Sequence, residues 1–344
     1  MSETLYPWSE IRDDFKHTLV LGNGASIAVD KCFSYRSLYE EAEKALLFDD
    51  AIEKLFNHYS TRDFEFVLRL VWRAHQINSL FAIEDTPVAN AYLRVRNSLI
   101  KTVQRVHVDY GEAAEHLPSI AAFLRRFRNV LCLNYDLIVY WAMLHGNSIL
   151  EGPWFKDCFI HEDRTFEDDF QYLRKPYGKV SGSTLVFYPH GNLVLATNFV
   201  GQEIKICNDE STDLLESIVK RWNLNDSTPL FVSEGNSDQK VHAIHRNGYL
   251  RTIHNNVVRR LGPDASVCVY GWSMSDQDIH LLEALGQNKP KSLALSVYTG
   301  SDGWQDYCGY IRSQLRRVYG FKNCELIFFD SESDGCWIKC YPIA

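Results

Sequence analysis

Two patterns of apolar residues alternate along the chain. The first is a short, nearly continuous apolar run, often followed by glycine, asparagine, histidine or serine, which is typical of a strand buried on both faces of a sheet. The second places apolar residues three or four positions apart, which predicts helices. Runs of the first kind occupy residues 17–21, 129–133, 184–188, 230–232, 265–270, 293–298 and 325–329.

Strand and helix patterns alternate over most of the chain, which predicts an α/β fold with a doubly wound, mostly parallel, Rossmann-like sheet. One long stretch has only helical spacing, interrupted by Pro87 and Pro118. The expected organisation is a sheet domain formed by residues 1–36 and 129–344, with a large helical insertion at residues 37–128.

Further elements follow from the same patterns. Residues 193–195 are expected to pair back as a hairpin, and residues 151–182, rich in Asp, Glu, Gly and Lys, predict an exposed excursion. Shorter helices are predicted at residues 137–144, 212–222, 240–260, 275–285 and 305–319.

Composition narrows the class of protein. The 344 residues are 46% hydrophobic and carry a net charge of −8, which is typical of a globular protein and argues against direct binding of nucleic acid. There is no apolar run of about 18 residues, the length that crosses a membrane, and the first residues do not resemble a signal peptide. We therefore expect a cytoplasmic protein with no membrane partner.

The nine cysteines are scattered singly, without any Cys-x-x-Cys pair. Zinc ribbons and similar structural zinc sites need closely spaced cysteine pairs. The sequence therefore predicts reduced, mostly buried cysteines and no metal site.

Polar residues that follow the apolar runs are the candidates for chemistry, because ligands of doubly wound sheets bind at the carboxyl ends of the strands. The turn beginning at Gly22 would bring backbone N–H groups towards a phosphate at a helix start. The dinucleotide fingerprint G-x-G-x-x-G is incomplete, since Ile27 occupies the third glycine position, and no P-loop motif is present. The strand-end set comprises Gly22, Gly24, Ser26, Asn134, Asp136, His190, Gly191, Ser233, Glu234, Gly271 and Ser273.

Five short motifs follow one another along the chain. In order they are Gly22-Asn-Gly-Ala-Ser26, Tyr35-Arg-Ser-Leu38, Asn134-Tyr-Asp136, His190-Gly191 and Gly271-Trp-Ser273. In this order they resemble the motifs of sirtuins, which are NAD-dependent proteins. The resemblance covers most of the chain outside the helical insertion, and is closest to a bacterial family of sirtuin-like proteins of unassigned function.

This resemblance implies that NAD binds at the strand ends and that its nicotinamide–ribose bond is cleaved. Asp136 would accept from the carboxamide, Asn134 would hold the ribose or a water, and His190 would be the general base. Arg36 would order a loop over the nicotinamide ribose. The remaining cofactor contacts would come from Gly22, Asn23, Gly24, Ser26, Gly271 and Ser273.

One departure from the sirtuin pattern changes the expected reaction. Only Cys207 and Cys268 lie between His190 and the late Gly-x-Ser motif, so the four-cysteine zinc module of the deacylases is missing. Sirtuin-like proteins of bacterial anti-phage defence, which hydrolyse NAD, also lack that module. The resemblance therefore favours an NAD glycohydrolase that uses water as the acceptor.

Other functions stay open. The chain could bind NAD or ADP-ribose as a sensor without cleavage, or act as a zinc-free deacylase, whereas an oxidoreductase is disfavoured by the incomplete fingerprint. The helical insertion would gate the pocket or mediate assembly with a second copy or a regulatory protein.

Structural interpretations compete at several candidate residues. Asn134 and Asp136 could simply cap the helix that follows them, and the role of Glu234 is undecided. His145 repeats the His-Gly-Asn tripeptide of His190, but it follows an apolar helix, so we interpret it as a structural residue near a helix end. The pair His242 and His245 is interpreted as part of a solvated helix face.

Overall fold

The computed structural model describes most of the chain. The described residues are 3–34, 37–160, 162–198, 200–207, 213–223, 227–232, 236–262, 265–300 and 303–342. Arg36, Ser233 and Glu234, which the sequence singled out, lie outside them.

Strands form two sheets, one of eight parallel strands and one of three antiparallel strands. The strands are β1 (Leu5–Pro7), β2 (Thr18–Leu21), β3 (Asn129–Cys132), β4 (Phe155–Lys156), β5 (Thr184–Phe187), β6 (Gly191–Asn198), β7 (Glu203–Lys205), β8 (Ser227–Phe231), β9 (Ser266–Tyr270), β10 (Ser292–Val297) and β11 (Glu325–Asp330).

The parallel sheet has the order β1-β11-β10-β9-β2-β3-β5-β4. From β2 the chain moves to β3 and β5 on one side, then returns to β9, β10 and β11 on the other side. The sheet is therefore doubly wound, and its switch point lies between β2 and β9, where Leu19 is paired with Cys268. Leu19 and its neighbours in β2 are fully buried, which explains why the strand is a continuous apolar run.

Helices account for about half of the rest of the described chain. They are α1 (Trp8–Ile11), α2 (Asn23–Ile27), α3 (Leu38–Lys44), α4 (Asp50–His58), α5 (Phe64–Leu80), α6 (Thr86–Val106), α7 (Tyr110–Ala113), α8 (Leu117–Leu124), α9 (Ile138–Ile149), α10 (Leu214–Asn223), α11 (Ser237–Arg246), α12 (Gly248–Thr252), α13 (Ile279–Gly286) and α14 (Trp304–Arg316).

The predicted helical insertion contains α3 to α8. Helices α3, α4 and α5 pack on α6 or on each other around an aromatic cluster, in which the Phe56 and Phe64 rings lie 5.1 Å apart. Side chains of Ser37, Asp49 and Asp63 accept hydrogen bonds from backbone N–H groups at the starts of α3, α4 and α5, so each helix begins at a polar cap. Helix α8 instead packs on α9.

One detail of the sequence interpretation is wrong. Residues 230–232, predicted as a strand of the main sheet, contribute to β8 of the antiparallel sheet, where β8 pairs with β6. The chain reverses at Gly191, whose φ of +77° directs β6 away from the main sheet. The hairpin expected at residues 193–195 does form, and its second strand is β7.

The predicted helix at residues 240–260 is also interrupted. Asn247 has an extended backbone, and its side chain accepts from Leu250 N at 2.9 Å, so it caps a new helix, α12. A π-helical turn, Ile253–Val257, follows directly. Strands β1 and β4 were not predicted, because each has only two or three residues and so shows no strand pattern in the sequence.

Candidate functional site

A cavity of about 460 Å³ opens at the carboxyl ends of β2, β3 and β9, at the switch point of the main sheet. This is the position where doubly wound sheets bind ligands, and the volume lies within the usual range for ligand sites. Eight of the ten site residues predicted from the sequence line it: Gly22, Asn23, Gly24, Asn134, Asp136, His190, Gly271 and Ser273.

The two glycine turns pack directly against each other. The Gly24 N–H donates to the carbonyl of Gly271 at 2.8 Å, and a Cβ on Gly24 would lie 2.8 Å from the Gly271 Cα. Gly271 has φ of +69°, and a Cβ there would lie 2.4 Å from Ala25 N. Both glycines are therefore required for backbone contact between the turns, and the Gly24 N–H is already occupied within the protein.

Asn23 and Ser273 complete the described part of the two turns. The Asn23 amide donates to the Phe33 carbonyl at 3.0 Å, which ties the first turn to the segment beyond α2. Ser273 is an exposed residue on the cavity wall. Its hydroxyl group is therefore accessible to a ligand in the cavity.

Ser26 lies behind the cavity wall and joins two predicted site residues. Its hydroxyl donates to Asp136 Oδ2 at 2.5 Å and accepts from Asn134 Nδ2 at 2.7 Å. Asn134 Nδ2 also donates to the Gly22 carbonyl at 3.0 Å. This network holds the turn after β2 against the turn after β3.

Asp136 has a second structural contact, because its Oδ1 accepts from Ile138 N at 3.0 Å where α9 begins. The N-cap position of α9 is Leu137, so Asp136 binds the start of the helix from the residue before the cap, and it also lines the cavity. Burial raises the pKa of Asp136, an effect that the neighbouring His107 and the Ser26 hydrogen bond oppose.

His190 follows β5 and is 5% exposed. Its Nε2 lies 3.3 Å from Nε2 of His280, and the His280 Nδ1 lies 3.2 Å from the Ser237 hydroxyl. Burial, reinforced by the positive charge of Lys240, lowers the pKa of His190 well below its usual value. Burial likewise lowers the pKa of His280 to about 4, so both rings are neutral at pH 7.

An ion pair lies beside the histidines, between Lys240 Nζ and Asp278 Oδ1 at 2.8 Å. The Trp272 indole N–H donates to the other carboxylate oxygen at 3.2 Å. Burial alone would raise the pKa of Asp278, but the positive charge of Lys240 and the hydrogen bonds from Lys240 and Trp272 outweigh it and hold the pKa at about 2. Asp278 is therefore a permanent negative charge on the cavity wall.

Sequence reasoning missed Lys240, Asp278 and His280. Asp278 and His280 follow shortly after the Gly271-Trp-Ser273 motif. Their closeness to a predicted strand end was the sequence signal that could have identified them as site residues. Lys240 lies in α11 and gave no local signal. It reaches the site because α11 packs against α13.

Other histidines lie where the sequence placed them. His145 belongs to the last part of α9, while His242 and His245 are exposed on α11. Within the described ranges, no group of three or more His, Cys, Asp or Glu side chains is arranged to hold a metal ion. The helices in these ranges are all too short or too polar to cross a membrane.

The sheet order and the cavity define an α/β protein of the Rossmann-like class with a ligand-sized site at its switch point. Residues 19–337 match the family described as domain of unknown function DUF4917, and the chain belongs to that family. Comparison with curated proteins finds no match.

Proposed function

We propose that the cavity binds NAD and that the protein hydrolyses the nicotinamide–ribose bond. The observation that carries the proposal is that the glycine turns, Asn134, Asp136 and His190 share a single cavity at the switch point of the sheet. These residues come from distant parts of the sequence and belong to the motifs that resemble those of sirtuins. The resemblance itself remains a prediction from those motifs.

In the proposed reaction, water adds to the ribose carbon while the bond to the nicotinamide nitrogen breaks. Nicotinamide leaves with the bonding electrons as a neutral molecule, and the water proton passes to His190. A neutral imidazole is required for this step, and the lowered pKa of His190 provides it at pH 7. Contact with His280 Nε2 holds the ring in place.

Asn134 would position the water or the ribose. Its Nδ2 is committed to Gly22 and Ser26, whereas no described residue donates to its Oδ1. That oxygen can accept from a hydroxyl group or from water. Asp136 would accept from the carboxamide through its remaining lone pairs, because a carboxylate accepts more than the two bonds already present.

One observation favours a second candidate, an NAD or ADP-ribose sensor without catalysis. The Asn134 amide nitrogen and both Asp136 oxygens already make structural hydrogen bonds, so these residues would be needed for the fold even without a reaction. With the hydrolase we also propose a cytoplasmic location and a role in anti-phage defence. Both follow from the substrate, because the NAD that would be hydrolysed is that of the cell interior.

Incubation of the purified wild-type protein with NAD, followed by liquid chromatography, tests the proposal. Hydrolysis predicts nicotinamide and ADP-ribose in equal amounts without any added peptide. Calorimetric binding of NAD without product would support the sensor, and release that depends on an acyl-lysine peptide would support a deacylase. If the folded protein neither binds NAD nor releases nicotinamide from it, the NAD proposal is refuted.

A further inference from the structure

A second cavity, of about 140 Å³, lies at the opposite edge of the main sheet. It adjoins the amino ends of β2 and β3, because His17 directly precedes β2 and Arg128 directly precedes β3. Its polar wall is formed mainly by His17, Arg128, Asn129, Gln171, Arg174 and Arg260. No residue of this wall belongs to the NAD site proposed above.

The wall of this cavity is cationic. Arg128, Arg174 and Arg260 line it, and no Asp or Glu of the described ranges does. In the described part of the chain, none of the three arginines forms an ion pair. The wall is therefore positive although the chain as a whole has a net charge of −8.

Neutral amide groups hold the central guanidinium in place. Arg174 Nη2 donates to Asn129 Oδ1 at 2.7 Å, and its Nε donates to Gln171 Oε1 at 2.8 Å. These bonds fix the orientation of the Arg174 side chain without neutralising its charge. An arginine oriented in this way is suited to a phosphate-type anion, because the planar guanidinium can donate two parallel hydrogen bonds.

The electrostatics agree with this geometry. Burial, together with the neighbouring Arg128, lowers the pKa of Arg174 to about 10. Burial also lowers the pKa of His17, and Arg128 and Arg174 lower it further. Arg174 still carries a full charge at pH 7, so a bound anion would relieve repulsion between the groups.

We propose that this amino-edge cavity binds a phosphate group, either as inorganic phosphate or as the phosphoryl group of a small metabolite. A cavity of about 150 Å³ accommodates a molecule the size of benzene, so the volume fits one such group and excludes a whole dinucleotide. A site of this small size in an acidic protein favours a small anion over a nucleic acid backbone.

Calorimetric titration of the full-length protein with inorganic phosphate and, separately, ribose 5-phosphate tests the proposal. Saturable binding of either probe is expected, and the tighter probe identifies the source of the phosphate group. Arg128→Gln should weaken binding about tenfold or more, because a charged hydrogen-bond donor is lost. Arg128 is exposed, so this variant is expected to fold.

Arg174→Gln should weaken binding at least as much, provided that circular dichroism shows an intact fold. Arg259→Gln is the matched control, since Arg259 is an exposed neighbour of Arg260 that does not line the cavity. Equal loss in the Arg259 variant, binding that survives both cavity variants, or absence of saturable binding would each overturn the proposal. None of these readouts uses NAD, so failure here is distinct from failure of the proposed hydrolase.

Discussion

The tripeptide His-Gly-Asn occurs at residues 145–147 within helix α9 and again at residues 190–192 after strand β5. His190 is buried at the cavity wall beside His280. His145 is half-buried in the helix, and no residue of the described ranges forms a hydrogen bond with its Nε2. The same three residues therefore occupy two different chemical environments.

The two glycines and the two asparagines show why. Gly191 has φ of +77° and packs against the backbone of β8, whereas Gly146 is helical and packs against the Phe155 ring. Asn192 is fully buried and donates to the carbonyl of the cavity residue Asp136 at 2.7 Å, whereas Asn147 bonds the Phe155 backbone. The preceding element, strand or helix, decides whether the tripeptide reaches the cavity.

The largest expected difference is in catalysis. His190→Ala should lower the rate of nicotinamide release by about 10²–10⁴-fold, the usual contribution of a positioned general base. His145→Ala should leave the rate close to that of the wild-type protein. Both variants are compared by chromatography after circular dichroism has verified folding, and equal losses in the two would show that the wrong histidine was chosen.

A smaller contrast is expected in stability. A Cβ at residue 191 would lie 2.2 Å from the Leu230 carbonyl oxygen and would sit on a left-handed backbone, so Gly191→Ala should destabilise the fold by about 3 kcal/mol or more. Gly146→Ala meets the side chain of Phe155, and alanine favours a helix by about 1 kcal/mol, so its cost should be lower. Urea unfolding measures both, and a larger loss for Gly146→Ala would contradict this ranking.

The contact between His190 and His280 should make the stability of the protein depend on pH. His280 has an ordinary pKa of 6.5 in the unfolded chain and about 4 in the fold, so the stability it contributes is present above pH 6.5 and is lost as pH falls towards 4. This loss amounts to up to about 3 kcal/mol. His280→Gln should therefore flatten the fall in unfolding free energy between pH 6.5 and 4, and an unchanged slope would mean that His280 titrates normally in the fold.

The smallest contrast concerns the asparagines. Asn192→Ala and Asn147→Ala should each cost about 1–3 kcal/mol of unfolding free energy, because each leaves a backbone carbonyl without its donor. Only Asn192→Ala should also raise KM for NAD, since Asn192 holds the Asp136 backbone. A rise in KM for both variants would indicate a general loosening of the fold.

The strands around the switch point were predictable because their apolar runs end in glycine or polar residues. Gly22, Asn134 and Gly271 follow β2, β3 and β9 as expected, and all three reach the same cavity. Double winding follows from the alternation of strands and helices, since parallel strands need long crossover connections. The main sheet and the centre of the site were thus accessible from the sequence.

Other features depend on contacts between distant segments. The apolar pattern of β8 does not reveal to which sheet the strand belongs, and that choice depends on the backbone reversal at Gly191. Lys240 reaches Asp278 only because α11 packs on α13. The close contact between Gly24 and Gly271 was also not predictable from the sequence, although both glycines had been chosen as candidate cofactor-binding residues.

A crystal structure of the His190→Ala variant with NAD would show directly whether the switch-point cavity is an NAD site, because a slowed enzyme would keep its substrate intact. We predict NAD in the cavity between β2 and β9, with the nicotinamide ribose near Asn134 and with Ser273 in contact with the remainder of the molecule. NAD bound elsewhere on the protein, or an empty cavity at saturating NAD, would show that the cavity has another role.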